Sequence, residues 1–142
     1  MNSDSINLLK ECNAGCKSAV NSMRQIKEYV VDERLTTLID KYTKKYEHLG
    51  EKFHEVLNEH SEPEKDPNTM AAAFASMGTE IKLMLNNEPH RVAKLLMDGC
   101  NMAIKSISDY VMQYDEADED SVKAANDLID IAVDFMKDLE EC

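Results

Sequence analysis

Residues 35–60 read LTTLIDKYTKKYEHLGEKFHEVLNEH, a stretch with one glycine and no proline. One set of residues recurs in it at alternating steps of four and three: Leu35, Ile39, Tyr42, Tyr46, Leu49, Phe53, Val56 and His60. This seven-residue period places the whole set on one side of a helix. The stretch therefore predicts a long helix that buries a single stripe of side chains.

The preceding residues follow the same rhythm, after a gap between Val30 and Leu35. The members of this earlier stripe are Leu9, Cys12, Cys16, Ala19, Met23, Ile26 and Val30. The pattern predicts a helix over about 4–30, capped by Ser3 or Asp4, and a second helix that is capped by Asp32 and ends near residue 60. Because the connection is so short, we expect the two helices to be antiparallel neighbours.

Three more helices are predicted in the second half of the chain, over about 69–86, 89–114 and 121–141. A polar loop with two prolines precedes the first of them, Pro89 suits the first turn of the next, and Asp120 is expected to cap the last. The residues expected to face inward from the last helix are Val122, Ala125, Ile129, Ala132, Met136 and Leu139. No segment alternates like a strand, so the sequence predicts an all-α protein.

A short internal repeat indicates how these helices are arranged. CNAGCKS at 12–18 matches CNMAIKS at 100–106 in four of seven positions. The repeat relates the first pair of helices to the last pair, and two helical hairpins joined by a long crossover are typical of ferritin-like bundles. The chain resembles small bacterial ferritin-like proteins over nearly its whole length, through Asn13-Ala14-Gly15 and through Met102-Ala103 after Gly99.

This resemblance implies a ferritin-like antiparallel four-helix bundle of two helical hairpins, with the short helix over 69–86 in the crossover connection. We expect residues 1–142 to form one domain, since a chain of this length can bury a sizeable core. A ferritin-like di-iron centre would need two Glu-x-x-His strings, and the chain has one, Glu51-Lys52-Phe53-His54. With Tyr46 and Phe53 at heptad position a, Glu51 and His54 fall at positions f and b, so we expect both to be exposed.

Charge and hydropathy exclude some classes of partner. The 28 acidic residues against 16 basic ones give a net charge of −12, which repels nucleic acid and anionic membrane surfaces. No apolar stretch approaches the ~20 residues that span a bilayer, and the first residues lack the basic and apolar parts of a signal peptide. We therefore expect a cytoplasmic protein that binds neither nucleic acid nor membranes.

The cysteines are expected to be free. Cys12 and Cys16 lie one helical turn apart on the stripe, and the expected compartment is reducing. Buried thiols that pack as small apolar side chains are the favoured interpretation. A soft-metal site that joins Cys12, Cys16 and Cys100 is the alternative, and it would need a fourth ligand.

No catalytic motif appears in the sequence, so association is the leading hypothesis for the function. We expect a non-catalytic helical bundle, without a cofactor, that forms a homo-oligomer or docks a protein partner. The expected interface is the methionine-rich face of the 69–86 helix, on Met70, Phe74, Met77 and Ile81.

Two other functions remain open at this point. One is a metal-binding ferritin-like oxidoreductase with a degenerate or non-standard site, for which Glu11, Cys16 and Tyr42 are the candidate ligands. The other is the binding of a small apolar ligand in the core, where the small residues Gly15, Ala19, Gly99 and Ala103 would leave space.

Overall fold

The computed structural model describes residues 1–63 and 89–142. These two ranges contain four helices and no strand: α1 (Ser3–Lys27), α2 (Glu33–Glu59), α3 (Pro89–Gln113) and α4 (Glu119–Leu139). The described part of the chain is therefore all-helical, as predicted. The helix predicted over 69–86 and its expected interface residues Met70, Phe74, Met77 and Ile81 lie outside the described residues.

The N-terminal cap of α1 differs from the prediction of Ser3 or Asp4. The side chain of Asn2 accepts a hydrogen bond from the backbone N–H of Ser5 at 2.8 Å. Asp4 instead accepts from the backbone N–H of Glu116, in the turn before α4. Asp4, one of the two predicted caps, thus binds the neighbouring turn, and α1 begins one residue earlier than predicted.

The cap of α4 is also displaced, whereas that of α2 is confirmed. Asp118, and not Asp120, accepts from the backbone N–H of Ser121 at 2.8 Å, and this bond lowers the pKa of Asp118. Asp32 caps α2 by accepting from the backbone N–H of Leu35 at 3.2 Å. Both observed caps have the extended backbone that this position requires.

Most of the predicted stripe on α1 and α2 is buried. The prediction is wrong at the end of α2, where His60 is exposed and Leu57 is buried in its place. It is also wrong on α4, where Leu128 and Phe135 are buried while Ile129 and Met136 are only half-buried. The ring of Phe135 stacks on that of Tyr42, with centroids 4.4 Å apart, and the buried stripe of α4 includes it beside the correctly predicted Ala125, Ala132 and Leu139.

Contacts between the helices show how they pack. The closest pairs are α1 with α2 and α3 with α4, and α4 also packs against both α1 and α2. Ion pairs join α1 to α2 or to the residues just after it: Lys10 with Glu62, Arg24 with Glu47, and Lys27 with Asp40. Apolar side chains from all four helices pack into one continuous core.

Candidate functional site at the cleft between α1 and α2

Among the described residues, a cleft of about 760 Å³ lies between α1 and α2. Its size falls within the range of small-molecule and side-chain binding sites. The buried or half-buried residues that line it are Asn13, Cys16, Val20, Tyr46, Glu47 and Gly50. The exposed lining residues are Lys17, Asn21, Arg24, Glu51 and His54.

Asn13 is the unusual residue of this cleft. The residue is 1% exposed, and neither its amide nitrogen nor its carbonyl oxygen has a hydrogen-bond partner among the described residues. Buried polar side chains in folded proteins are nearly always paired, and each unpaired group costs about 1–3 kcal/mol. Asn13 is therefore a destabilising residue at a place where the protein has a cleft.

The helices approach each other closely beside Asn13. A Cβ atom built on Gly50 would lie 3.2 Å from the Cβ of Cys16, which is tighter than ordinary van der Waals contact. Glycine at this position lets α2 approach α1 without displacing the Cys16 side chain. The close approach fixes the floor of the cleft.

The edge of the cleft carries charges of both signs. Arg24 Nη2 lies 2.5 Å from Glu47 Oε1, and this exposed pair adds at most about 1 kcal/mol of stability. Glu51 and His54 are exposed, which confirms the prediction from their heptad positions. The structure adds that both border the cleft, so the outward face of α2 is not remote from it.

The buried thiols are poor nucleophiles in this environment. Burial raises the pKa of Cys12 and of Cys100 to about 12, with nearby Glu11 contributing at Cys12. Burial also raises the pKa of Cys16, with Cys12 contributing. All three thiols are free, as predicted, and stay protonated near neutral pH, whereas a nucleophile needs the thiolate.

Tyr42 is buried and engaged with α4. Its hydroxyl donates to the carboxylate of Asp138 at 2.5 Å, and Lys41 Nζ lies 3.4 Å from the same carboxylate. Burial and the Asp138 contact raise the pKa of Tyr42, while the Tyr42 hydrogen bond is the main cause that lowers the pKa of Asp138. Tyr42 thus joins α2 to α4.

The structure does not bring the candidate metal ligands Glu11, Cys16 and Tyr42 to one point. Cys16 lies opposite Gly50, and the rise of a helix places Gly50 roughly 12 Å along α2 from Tyr42. Within residues 1–63 and 89–142, no group of three or more histidine, cysteine, aspartate or glutamate side chains is arranged to hold a metal ion.

Within the part of the chain that the structure describes, a small cavity lies between the helices. Its volume is about 20 Å³, and Ala19, Tyr46, Gly99 and Cys100 are among the residues that line it. This space is enough for a single water molecule. Two of the small residues expected to create space, Ala19 and Gly99, therefore do so on a scale far below that of an organic ligand.

Comparisons of the chain with protein-family models, with curated proteins and with solved structures gave no match. None of the described helices is long and apolar enough to cross a membrane.

In the sequence, Asn13 stands out only as part of the run Asn13-Ala14-Gly15. One signal in the sequence could have identified Asn13. It lies seven residues before Val20, so the two residues share one flank of the buried stripe, and Val20 is apolar. Its lack of a partner depends on the surrounding side chains, which the heptad pattern does not give.

Proposed function

We propose that the protein is a cytoplasmic, non-catalytic helical bundle that acts by association, with a second copy of itself or with a protein partner. The observation that carries this proposal is the buried, unpaired carboxamide of Asn13 in the cleft between α1 and α2. A folded protein that retains an unpaired buried group at a cleft has a reason other than stability to keep it, and binding provides one.

We also propose the ferritin-like arrangement of two antiparallel hairpins for this bundle. The support comes from contacts between helix ends: Lys27 near the end of α1 pairs with Asp40 near the start of α2, at 2.7 Å. Likewise, Arg34 near the start of α2 donates to the carbonyl of Glu141, just after α4. Asn2, at the start of α1, donates to a carbonyl of the turn before α4.

The state of the reactive side chains favours binding over catalysis. The buried thiols of Cys12, Cys16 and Cys100 are held in the protonated form, and the Tyr42 hydroxyl is occupied by Asp138. General acid–base or nucleophilic catalysis needs groups that change protonation near the working pH. The described part of the cleft combines a neutral floor with a rim of mixed charge, as in many binding surfaces.

The alternative function, a metal-binding ferritin-like oxidoreductase that uses Glu11, Cys16 and Tyr42, has less support from this geometry. Elemental analysis of the purified protein tests it directly. Stoichiometric iron or manganese that is lost in Cys16→Ala, with folding retained, would establish a metal function in place of the proposed one.

Two measurements on the full chain test association. Light scattering over a range of protein concentrations reports self-association, and we expect a dimer at physiological salt. Selection of a random peptide display library on the immobilised chain reports partner binding, with each selected peptide then resynthesised and titrated. A monomer at every concentration, together with no peptide that binds saturably, would contradict the proposal.

A further inference from the structure

We infer that the cleft between α1 and α2 binds the carboxamide end of a glutamine or asparagine side chain from a partner polypeptide, through Asn13. This inference rests on the proposed function, because it names the chemistry of the partner that the cleft takes. Two independent features support it: the cleft itself, and the unpaired Asn13 side chain that lines it.

The hydrogen-bonding groups of Asn13 select the chemistry of the ligand. Its side chain offers an N–H₂ donor and a carbonyl acceptor in one plane. A second carboxamide satisfies both at once, by accepting from the nitrogen and donating to the oxygen. A carboxylate offers only acceptors and an ammonium group only donors, so either would leave one atom of Asn13 unpaired.

The surroundings of Asn13 favour a neutral ligand group. The adjacent Cys16 thiol is buried and protonated, whereas Lys17, a cation of the lining one helical turn from Asn13, is an exposed residue of the cleft edge. A charged ligand group on this floor would lose its hydration without gaining a full counter-charge there, which is costly. A neutral carboxamide loses less on desolvation and recovers it in the two hydrogen bonds with Asn13.

The burial of Asn13 favours a side-chain amide over a main-chain peptide group. With 1% of the residue exposed, a ligand reaches Asn13 only after side chains at the rim rotate, and the exposed Lys17, one helical turn from Asn13, and Glu51 are long and flexible. A carboxamide at the end of a glutamine side chain fits a narrow opening. A main-chain peptide group is flanked by two Cα atoms and needs a wider one.

Nuclear magnetic resonance of the ¹⁵N-labelled full chain tests the inference. The side-chain N–H₂ signals of Asn13 are assigned by their absence in Asn13→Leu, or in Asn13→Ser if the leucine variant does not fold. N-acetylglutamine methylamide is then titrated into the protein. We expect saturable shifts of the Asn13 signals at millimolar concentrations, as is typical of so small a probe.

Two matched probes identify the group that binds. N-acetylglutamate methylamide has nearly the same shape with a charged carboxylate, and N-acetylalanine methylamide has main-chain amides only. We expect each to bind at least about tenfold more weakly than the glutamine probe. Equal binding of the glutamate probe would overturn the carboxamide assignment, and equal binding of the alanine probe would overturn the choice of a side chain.

Variants then locate the site. The shift that the glutamine probe causes at the backbone amide of Gly50 should be lost in the Asn13 variant that is used and kept in Asn126→Leu, which changes an exposed residue of α4 outside the cleft. Asn13 signals that no probe moves would overturn the inference. If light scattering or peptide selection still detects association in that case, the proposed function stands without the carboxamide site. If neither measurement detects association, the proposed function and the carboxamide site both fail.

Discussion

Replacing Asn13 with leucine should stabilise the protein. Asparagine and leucine have similar branched shapes, but leucine has no hydrogen-bonding group to leave unpaired. In the native structure both polar atoms of the Asn13 side chain are buried without a partner, whereas in the unfolded chain water satisfies them. The substitution removes this penalty, so the direction of the effect follows from the absence of any hydrogen bond to be lost.

The magnitude follows from the cost of an unpaired buried group, about 1–3 kcal/mol. Leucine is somewhat larger than asparagine, and overpacking costs roughly 1 kcal/mol at its lower end, partly relieved by the open cleft beside residue 13. We therefore expect a net gain in the free energy of unfolding of about 1–2 kcal/mol. For a chain of this length, that corresponds to a rise of roughly 3–8 °C in the melting temperature.

Urea and thermal unfolding followed by far-ultraviolet circular dichroism measure the effect. The control is Asn21→Leu, which places the same side chain at an exposed position of α1 and should change stability by less than about 0.5 kcal/mol. A loss of stability in Asn13→Leu, with an unchanged dependence on urea, would show that the Asn13 carboxamide is hydrogen-bonded in solution. The premise of the carboxamide site would then be wrong.

Four further results are expected. Tyr42→Phe should cost about 1 kcal/mol through the lost hydrogen bond to Asp138. The same substitution should also reduce the loss of stability above pH 10.0. The pKa of Tyr42 is raised in the folded state, so the stability that Tyr42 contributes is full below the unfolded pKa and is lost as the pH rises. An identical pH profile in the variant would contradict this. Gly50→Ala should destabilise in urea unfolding, because its Cβ would lie 3.2 Å from the Cβ of Cys16 and the overpacking cost of about 1–3 kcal/mol exceeds the roughly 1 kcal/mol gained in helix propensity; a stabilised variant would show that α1 and α2 can separate there. Leu49→Ala should cost roughly 2–5 kcal/mol in the same assay, and a loss below 1 kcal/mol would contradict its place in the core. Met77→Asp should convert the expected dimer to a monomer in light scattering, and a folded variant that remains dimeric would exclude the 69–86 face as the interface.

The heptad pattern predicted much of α1 and α2 because one strong period runs through both. The pattern depends only on which side chains are apolar, and the core stripe of a helix is selected by that property. It failed where neighbouring elements decide. Asp4 is a good cap by type but binds the turn before α4, and Phe135 is buried where it stacks on Tyr42. Neither the Asp4 hydrogen bond nor the Phe135–Tyr42 stacking is encoded within a single helix, so local sequence could not give it.

The candidate site was harder to predict for a related reason. Folding selects residues that agree with their surroundings, and sequence patterns describe that agreement. Asn13 disagrees with its surroundings, since an apolar residue there would stabilise the bundle, and it is recognisable only once its neighbours are in place. Stability alone would favour leucine at this position. The same disagreement is therefore what distinguishes a binding residue from a core residue, and the leucine variant should separate the two roles by gaining stability while losing the glutamine probe.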